Sequence, residues 1–110
     1  MAKTIKSHYK NLIIGFGKGG KTLAAWLGKQ GEEVALIEIS DKMYGGSCIN
    51  VACIPTKSLK NAEEKLPYEK AFCRKNNLTS FLRKLNYNNI EKLSSAIVIT
   101  GQAYFISPTE

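Results

Sequence analysis

Residues 45–57, GGSCINVACIPTK, set Cys48 and Cys53 five positions apart, between a Gly-Gly pair and a proline followed by Lys57, in a chain with one further cysteine, Cys73. Two thiols this close can exchange electrons as a dithiol–disulfide couple, join a metal site or staple a loop. In an ideal α-helix, residues five apart are separated by ~7.5 Å of rise and point to different faces. A disulfide wants its Cα atoms no more than roughly 7 Å apart. Closing this pair therefore requires a distorted first helical turn, and Gly45, Gly46 and Pro55 supply the backbone freedom and the interruption. The expectation is a redox-active dithiol at the start of a helix. A thiolate is the reactive form, and its pKa falls at a helix N-terminus and beside a cation. Lys57, one helical turn beyond Cys53, can supply that cation.

Plainer readings of the cysteines compete. A structural disulfide closing so short a loop is worth only ~2 kcal/mol on the chain-entropy picture, so it makes a poor staple. A zinc site needs four ligands, and Cys48, Cys53, Cys73 and His8 lack metal-binding spacing, so no metal is expected. Cys73 reads as a small core residue on a helix. His8, just before the first apolar run, reads as a surface residue without a catalytic role.

Positioning such a dithiol falls to the elements upstream. Residues 11–14, NLII, form a short apolar run of the kind a buried parallel strand shows. The run leads directly into GFGKGGKT, residues 15–22, after which residues 23–27 begin a helical pattern that stops near Gly31. Residues 33–38 give a second strand. Together these make a βαβ unit of about 30 residues.

The glycine loop fits two motifs. Gly15, Gly17 and Gly20 spell G-x-G-x-x-G, while Gly15, Gly20, Lys21 and Thr22 spell the phosphate loop G-x-x-x-x-G-K-T. Both direct backbone N–H groups and a helix N-terminus at phosphate. A dinucleotide fold also needs an acidic residue at the end of the second strand, about 20 residues on, to hold a ribose hydroxyl, and Glu38 stands there. A P-loop enzyme needs a later strand ending in an acidic Mg²⁺ ligand, yet residues 96–100 run into Ile-Thr-Gly. The dinucleotide reading is therefore preferred, with Lys21 and Thr22 a coincidental match on the first helical turn. A nucleotide-binding module without catalysis, and more remotely a P-loop NTPase, remain the alternatives.

Composition bounds the rest. At 110 residues the chain is one domain at most, and a chain of this size buries only about two thirds of its unfolded surface. No apolar run approaches the roughly 18 residues that span a bilayer, and no signal peptide precedes the first apolar run. A cytoplasmic setting is expected, where a close cysteine pair is more often catalytic or metal-binding than a permanent staple. The net charge of +7 raises the question of nucleic acid. The cations are spread along the chain with no dense block and no interleaved aromatic platform, so a solvated basic surface is the expectation, with neither a nucleic-acid nor a membrane partner.

Beyond Lys57, residues 58–65 complete the cysteine-bearing helix, and Pro67 is expected to break it. Phe72, Leu78, Leu82 and Leu85 recur near the helical period and predict a long helix from about Tyr68, with the stripe packed in the core. Asn76 and Asn77 weaken its middle. Residues 96–100 predict a third parallel strand.

At this point the residues resemble a known family. Gly46-Ser-Cys48 and then residues 53–57, CIPTK, following a glycine-loop, strand and Glu unit, look like the N-terminal FAD segment of the pyridine nucleotide disulfide oxidoreductases, which include dihydrolipoamide dehydrogenase, glutathione reductase and mercuric reductase. Residues 14–24, residues 43–46, Arg74-Lys-Asn76 and Asn86-Tyr87 further resemble the bacterial branch linked to reactive chlorine and hypothiocyanous acid resistance. The resemblance implies an α/β, Rossmann-like FAD-binding unit with a parallel sheet and helices. It implies that Gly15, Gly17 and Gly20 carry the FAD pyrophosphate, that Glu38 holds the adenosine ribose, and that Gly45, Gly46 and Ser47 line the cofactor. Cys53 would face the flavin, Cys48 would be the interchange thiol that meets the substrate, and Lys57 would lie near the flavin's reactive nitrogen. Ser47 stands where many members carry Thr, and Ala52 where many carry Gly. Residues 101–105, a Gly-x-Ala-x-Phe passage, would reach the adenine through the backbone around Ala103 and lead into a small β segment.

The implied activity passes electrons from NAD(P)H through FAD to the Cys48–Cys53 disulfide and on to an oxidised small-molecule substrate, in a homodimer. The resemblance also implies that residues 1–110 are a partial FAD-binding domain, incomplete at the C-terminus. The NAD(P)-binding domain and the dimerisation domain with its His-Glu pair would be missing, and the chain alone would be inactive with NAD(P)H.

Overall fold

The computed structural model describes residues 3–63 and 65–110. Met1 and Ala2, at the start of the polar N-terminal stretch, and Glu64, within the expected extension of the cysteine-bearing helix, lie outside the described residues. The elements run β1 (Asn11–Ile14), α1 (Lys18–Lys29), β2 (Val34–Glu38), a single 3₁₀ turn (Asp41–Met43), α2 (Ser47–Asn50), α3 (Cys53–Ala62), α4 (Tyr68–Glu91) and β3 (Ala96–Thr100).

The three strands form one parallel sheet in the order β1-β2-β3. Asn11 pairs with Val34, and Val34 with Ala96, so the three apolar runs lie in step. Parallel strands need a covered crossover; α1 provides the first, and α2 to α4 provide the second. β2, in the centre, begins with three consecutive buried residues, whereas β1 alternates half-buried with exposed ones, as an edge strand with one covered face does. The core is built from Phe16, Ala24, Val34, Leu36, Ile90, Ala96 and Val98. It lies between the sheet, α1 and the C-terminal end of α4, and Ile13 and Leu93 pack against it.

The strands at 11–14 and 96–100 occupy their predicted residues, and the second starts one residue later than predicted. α1 starts at Lys18, so the whole K-G-G-K-T run is helical, and Gly31, at φ +80°, turns the chain into β2. The cysteine-bearing helix is shorter than predicted, ending at Ala62, and Pro67 caps the next helix instead of breaking this one. Residues 102–106 carry no strand. They run beside the exposed face of β1, and their backbone closes a turn through the Ile106 N–H on the Glu110 carbonyl at 2.7 Å.

Two expectations about α4 are corrected. Cys73 is on the helix but exposed, not in the core. The apolar stripe is not buried either: Phe72, Leu78 and Leu85 are 42%, 37% and 43% exposed, while Ala71, Thr79 and Ile90 are the buried positions. The reason is length. A helix of 24 residues extends about 36 Å, and three strands cover only its C-terminal end. α4 also packs on α3, whose buried residues are Pro55, Ser58 and Ala62.

Candidate functional site

The glycine loop and the cysteine segment meet through backbone. Gly15 leaves β1 at φ +104°, and its N–H donates to the Ile37 carbonyl at 2.7 Å. Gly17 caps α1, and Gly20 sits so close to the loop that a Cβ there would run into the Gly15 carbonyl oxygen. Gly46, at φ +87°, lies against the same loop: a Cβ on it would come 2.7 Å from the Cα of Gly17. Gly45, at φ +92°, leaves room for Ile49 and Asn86 in the same way.

Glu38 closes the loop from the other side. One carboxylate oxygen accepts from the Phe16 N–H at 3.0 Å and the other from the Ser40 N–H at 3.3 Å, joining the turns that follow β1 and β2. The Gly101 N–H donates to the Glu38 carbonyl at 2.8 Å. The C-terminal ends of all three strands are thus tied together, at the edge where open α/β sheets bind ligands. Ala103 follows two residues beyond Gly101, half-buried.

Cys48 and Cys53 are disulfide-bonded, with Cα atoms 4.6 Å apart. That separation is below the rise of a continuous helix because the helix is interrupted: α2 ends at Asn50, Val51 and Ala52 leave helical geometry, and α3 restarts with Cys53 as its first residue. Pro55 falls in the first turn of α3, where no backbone N–H is needed. Ala52 has a negative φ of −120° and is exposed, so its methyl faces no left-handed backbone and no crowded core. Ser47 and both cysteines are exposed, and so is Lys57, one turn beyond Cys53. A thiolate at Cys53 would stand at the positive end of a ten-residue helix.

The structure therefore brings Gly15, Gly17, Gly20, Glu38, Gly45, Gly46, Ser47, Cys48 and Cys53 into one continuous region. Among the described residues no side-chain hydrogen bond joins Lys57 or Ala103 to it, and no group of three or more His, Cys, Asp and Glu side chains could hold a metal. Lys21 and Thr22 take no part in the loop mouth. The Lys21 ammonium donates to Asn86 Oδ1 at 2.9 Å, and the Thr22 hydroxyl donates back to the Lys18 carbonyl at 2.6 Å. Desolvation, helped by the Lys18 charge, holds the Lys21 pKa below its ordinary value.

Sequence reasoning gave no role to six polar residues that brace the region. Asn50 donates to the Tyr44 and Gly46 carbonyls at 2.9 Å each, and its Oδ1 accepts from Arg83 at 3.2 Å. Asn86 donates to the Leu82 carbonyl at 2.7 Å while accepting from Lys21. Tyr44 stacks on Tyr87 with ring centroids 5.1 Å apart, and its hydroxyl meets that of Thr100. The signals in the sequence were a polar Asn50 between Ile49 and Val51 in an otherwise apolar inter-cysteine segment, and the resemblance of residues 43–46 and Asn86-Tyr87 to the bacterial branch.

The backbone fits a dinucleotide. Gly17 offers the first amides of α1 no side-chain acceptor, no carboxylate stands in the first turn, and the contact of Gly46 with Gly17 leaves a surface bare of Cβ atoms. Such a surface accepts a pyrophosphate against backbone N–H groups.

The sequence model of the pyridine nucleotide-disulphide oxidoreductases matches residues 9–108. The chain belongs to the pyridine nucleotide-disulphide oxidoreductase family. Among the relatives of this family it is 51% identical over 100 residues to the probable pyridine nucleotide-disulfide oxidoreductase RclA of Escherichia coli, covering 90% of this chain and 23% of that protein. It is 30% identical over 124 residues to the glutathione reductase of Schizosaccharomyces pombe, covering 96% of this chain and 26% of the relative. The solved structure of the HOCl-induced flavoprotein disulfide reductase RclA from Escherichia coli superposes with a TM-score of 0.84 at 52% identity, over 89% of this chain and 23% of that one. The fold is thus the α/β, Rossmann-like segment of this oxidoreductase family, and the chain spans about a quarter of the length of these relatives.

Proposed function

We propose that this chain supplies the FAD-binding and dithiol-bearing part of an FAD-dependent disulfide oxidoreductase. Contact between the glycine loop and the Gly46 turn carries the reading, because it joins a pyrophosphate cradle to a cysteine pair through bare backbone. When bound, FAD supplies the two-electron chemistry that links NAD(P)H to a disulfide. The chain's own residues do the rest. Gly15, Gly17, Gly20, Gly45 and Gly46 admit the pyrophosphate, Ser47 and Lys57 border the cofactor, Glu38 takes the adenosine ribose, and the backbone at Ala103 the adenine. Cys53, at the α3 N-terminus, is the thiol on the cofactor side. Cys48 is the interchange thiol, exposed to an oxidised small-molecule substrate.

In the whole protein we place NAD(P)H as co-substrate, a homodimer as the working assembly and the cytoplasm as its compartment. Among the described residues no helix is long and apolar enough to cross a membrane. Resistance to reactive chlorine species is the proposed setting, on the strength of the relative described as HOCl-induced.

The test is FAD uptake by the purified chain, followed by flavin absorbance and by fluorescence quenching, together with a thiol count before and after dithiothreitol. The expected result is saturable FAD binding and two additional thiols on reduction, with no NADPH oxidation by the chain alone. Absence of FAD binding by a folded chain, or no gain of thiols, would overturn the proposal.

A further inference from the structure

We propose that Arg83 is a positioning residue for the redox pair, clamping the loop between Cys48 and Cys53 through Asn50 and so setting the dithiol–disulfide equilibrium. The proposal rests on the dithiol reading given above and adds a determinant 30 residues downstream of Cys53.

Four residues, 49–52, separate the two cysteines, and Val51 and Ala52 among them are exposed. Two side chains anchor the loop, the buried Ile49 and the Asn50 carboxamide, beside the backbone bonds that Val51 and Ala52 make to the Ser47 carbonyl. Both amide hydrogens of Asn50 are committed to the Gly45–Gly46 turn, through the carbonyls of Tyr44 and Gly46. Its oxygen takes the Arg83 Nη1 donor, and Arg83 Nη2 is fixed by a bond to Ser80 Oγ at 3.0 Å. Ser80 and Arg83 are neighbours one turn apart on α4, the longest element of the fold. The guanidinium thus fastens the inter-cysteine loop to a rigid helix by a charge-assisted donor.

Consider the reduced state. Once the S–S bond is broken, these anchors and the backbone bonds of the Val51 and Ala52 N–H groups to the Ser47 carbonyl keep the two thiols close, and any freedom the loop regains must be given up again on closure. A clamp that survives reduction lowers that entropic cost and raises the effective concentration of one thiol at the other. Its removal favours the open dithiol.

The experiment is a glutathione redox titration of the 110-residue chain, with the free thiols counted by alkylation and mass. Two glutathione thiols give two electrons and two protons to the Cys48–Cys53 bond, producing two cysteine thiols and one glutathione disulfide. Arg83→Met keeps most of the apolar stem and removes the donors. It is expected to make the disulfide about tenfold easier to reduce, the worth of one hydrogen bond to a charged group. Arg83→Lys should recover part of the loss, Ser80→Ala should shift the midpoint the same way by less, and Lys84→Met, on the adjacent position, should leave it unchanged.

A merely structural arginine would lower the unfolding midpoint and leave the glutathione midpoint of the folded chain where it was. An unchanged glutathione midpoint in folded Arg83→Met overturns the clamp while leaving the dithiol reading intact. Should Arg83→Met fail to fold, Ser80→Ala and Arg83→Lys decide the matter, and wild-type midpoints in both overturn the clamp. A wild-type pair that cannot be reduced and reoxidised reversibly overturns the dithiol reading and the clamp together.

Discussion

At the scale of single residues, the glycines at the junction of loop and dithiol differ sharply in what they tolerate. Gly46 has φ +87° and ψ −173°, a region that only glycine occupies without strain of about 1–3 kcal/mol, and a Cβ there would press on the Gly17 Cα. Gly46→Ala is therefore expected to lower stability by about 2 kcal/mol or more in urea titration and to remove FAD uptake. Gly19, in the first turn of α1 with open space around it, has the opposite sign: Gly19→Ala should stabilise by about 0.5–1 kcal/mol through helix propensity. Lys21 gives a pH signature. Burial, first, and the Lys18 charge, second, hold its pKa below the ordinary 10.5, so between the folded and unfolded values the unfolded chain binds a proton that the folded chain does not. Stability from this residue therefore rises with pH as the solution passes through the folded pKa toward 10.5. Urea midpoints measured from pH 7 upward should rise relative to those of Lys21→Met, because the raised pKa values of Lys6 and Tyr87 act in the opposite sense in both chains alike. An identical slope in the variant would assign the pH dependence elsewhere.

At the scale of elements, the packing of α3 on α4 makes a prediction that runs against the usual direction of core mutations. Ser58 of α3 is buried, and among the described residues its hydroxyl has no hydrogen-bond partner. Leaving such a group unpaired costs about 1–3 kcal/mol. Ser58→Ala keeps the small size of the buried residue and is expected to raise the unfolding free energy by about 1 kcal/mol; a loss of stability would mean the hydroxyl has a partner in solution. The same pair of helices shows where sequence patterns stop being informative. Residues 11–14 and 96–100 were legible as strands because continuous apolar runs bounded by glycine have little else to become. The Gly-Gly turn and the placement of Glu38 were legible because a disulfide and a dinucleotide loop impose strict local geometry, whereas the interruption expected at Pro55 falls at Val51 and Ala52, with Pro55 inside α3. The α4 stripe was legible as a helix but not as a surface. Periodicity reports which residues share a face, and only the tertiary neighbours decide whether anything covers it, so Phe72 and Leu85 stayed exposed where burial was expected. The Arg83–Asn50 contact spans 33 positions, a range at which residue types alone carry no pairing information.

At the scale of the whole molecule, the chain is elongated, with a radius of gyration of 16.3 Å and extents of 51 × 29 × 21 Å. A compact chain of this length would have a radius near 13 Å. The difference follows from one-sided layering. α1 and the end of α4 cover one face of the sheet, while on the other face Leu12 and Ile14 of the edge strand are 55% and 58% exposed beside Tyr104 and Phe105. Contiguous apolar surface on an unpaired edge favours association, and the net charge of +7 opposes it. Salt decides between them, because charge repulsion between copies is screened beyond about 8 Å at physiological ionic strength while the apolar attraction is not. The purified chain is therefore expected to bind a hydrophobic dye such as anilinonaphthalene sulfonate and to sediment as larger species as sodium chloride rises. Ile14→Lys places a charge on the exposed face and on the open edge at once. It should lower dye binding and restore monomer sedimentation across the salt range. Its urea midpoint should change little, because the replaced side chain is more than half exposed. A wild-type chain that stays monomeric and dye-negative at all salt concentrations would show that this face is covered in solution by residues 102–110, whose turn already runs along it.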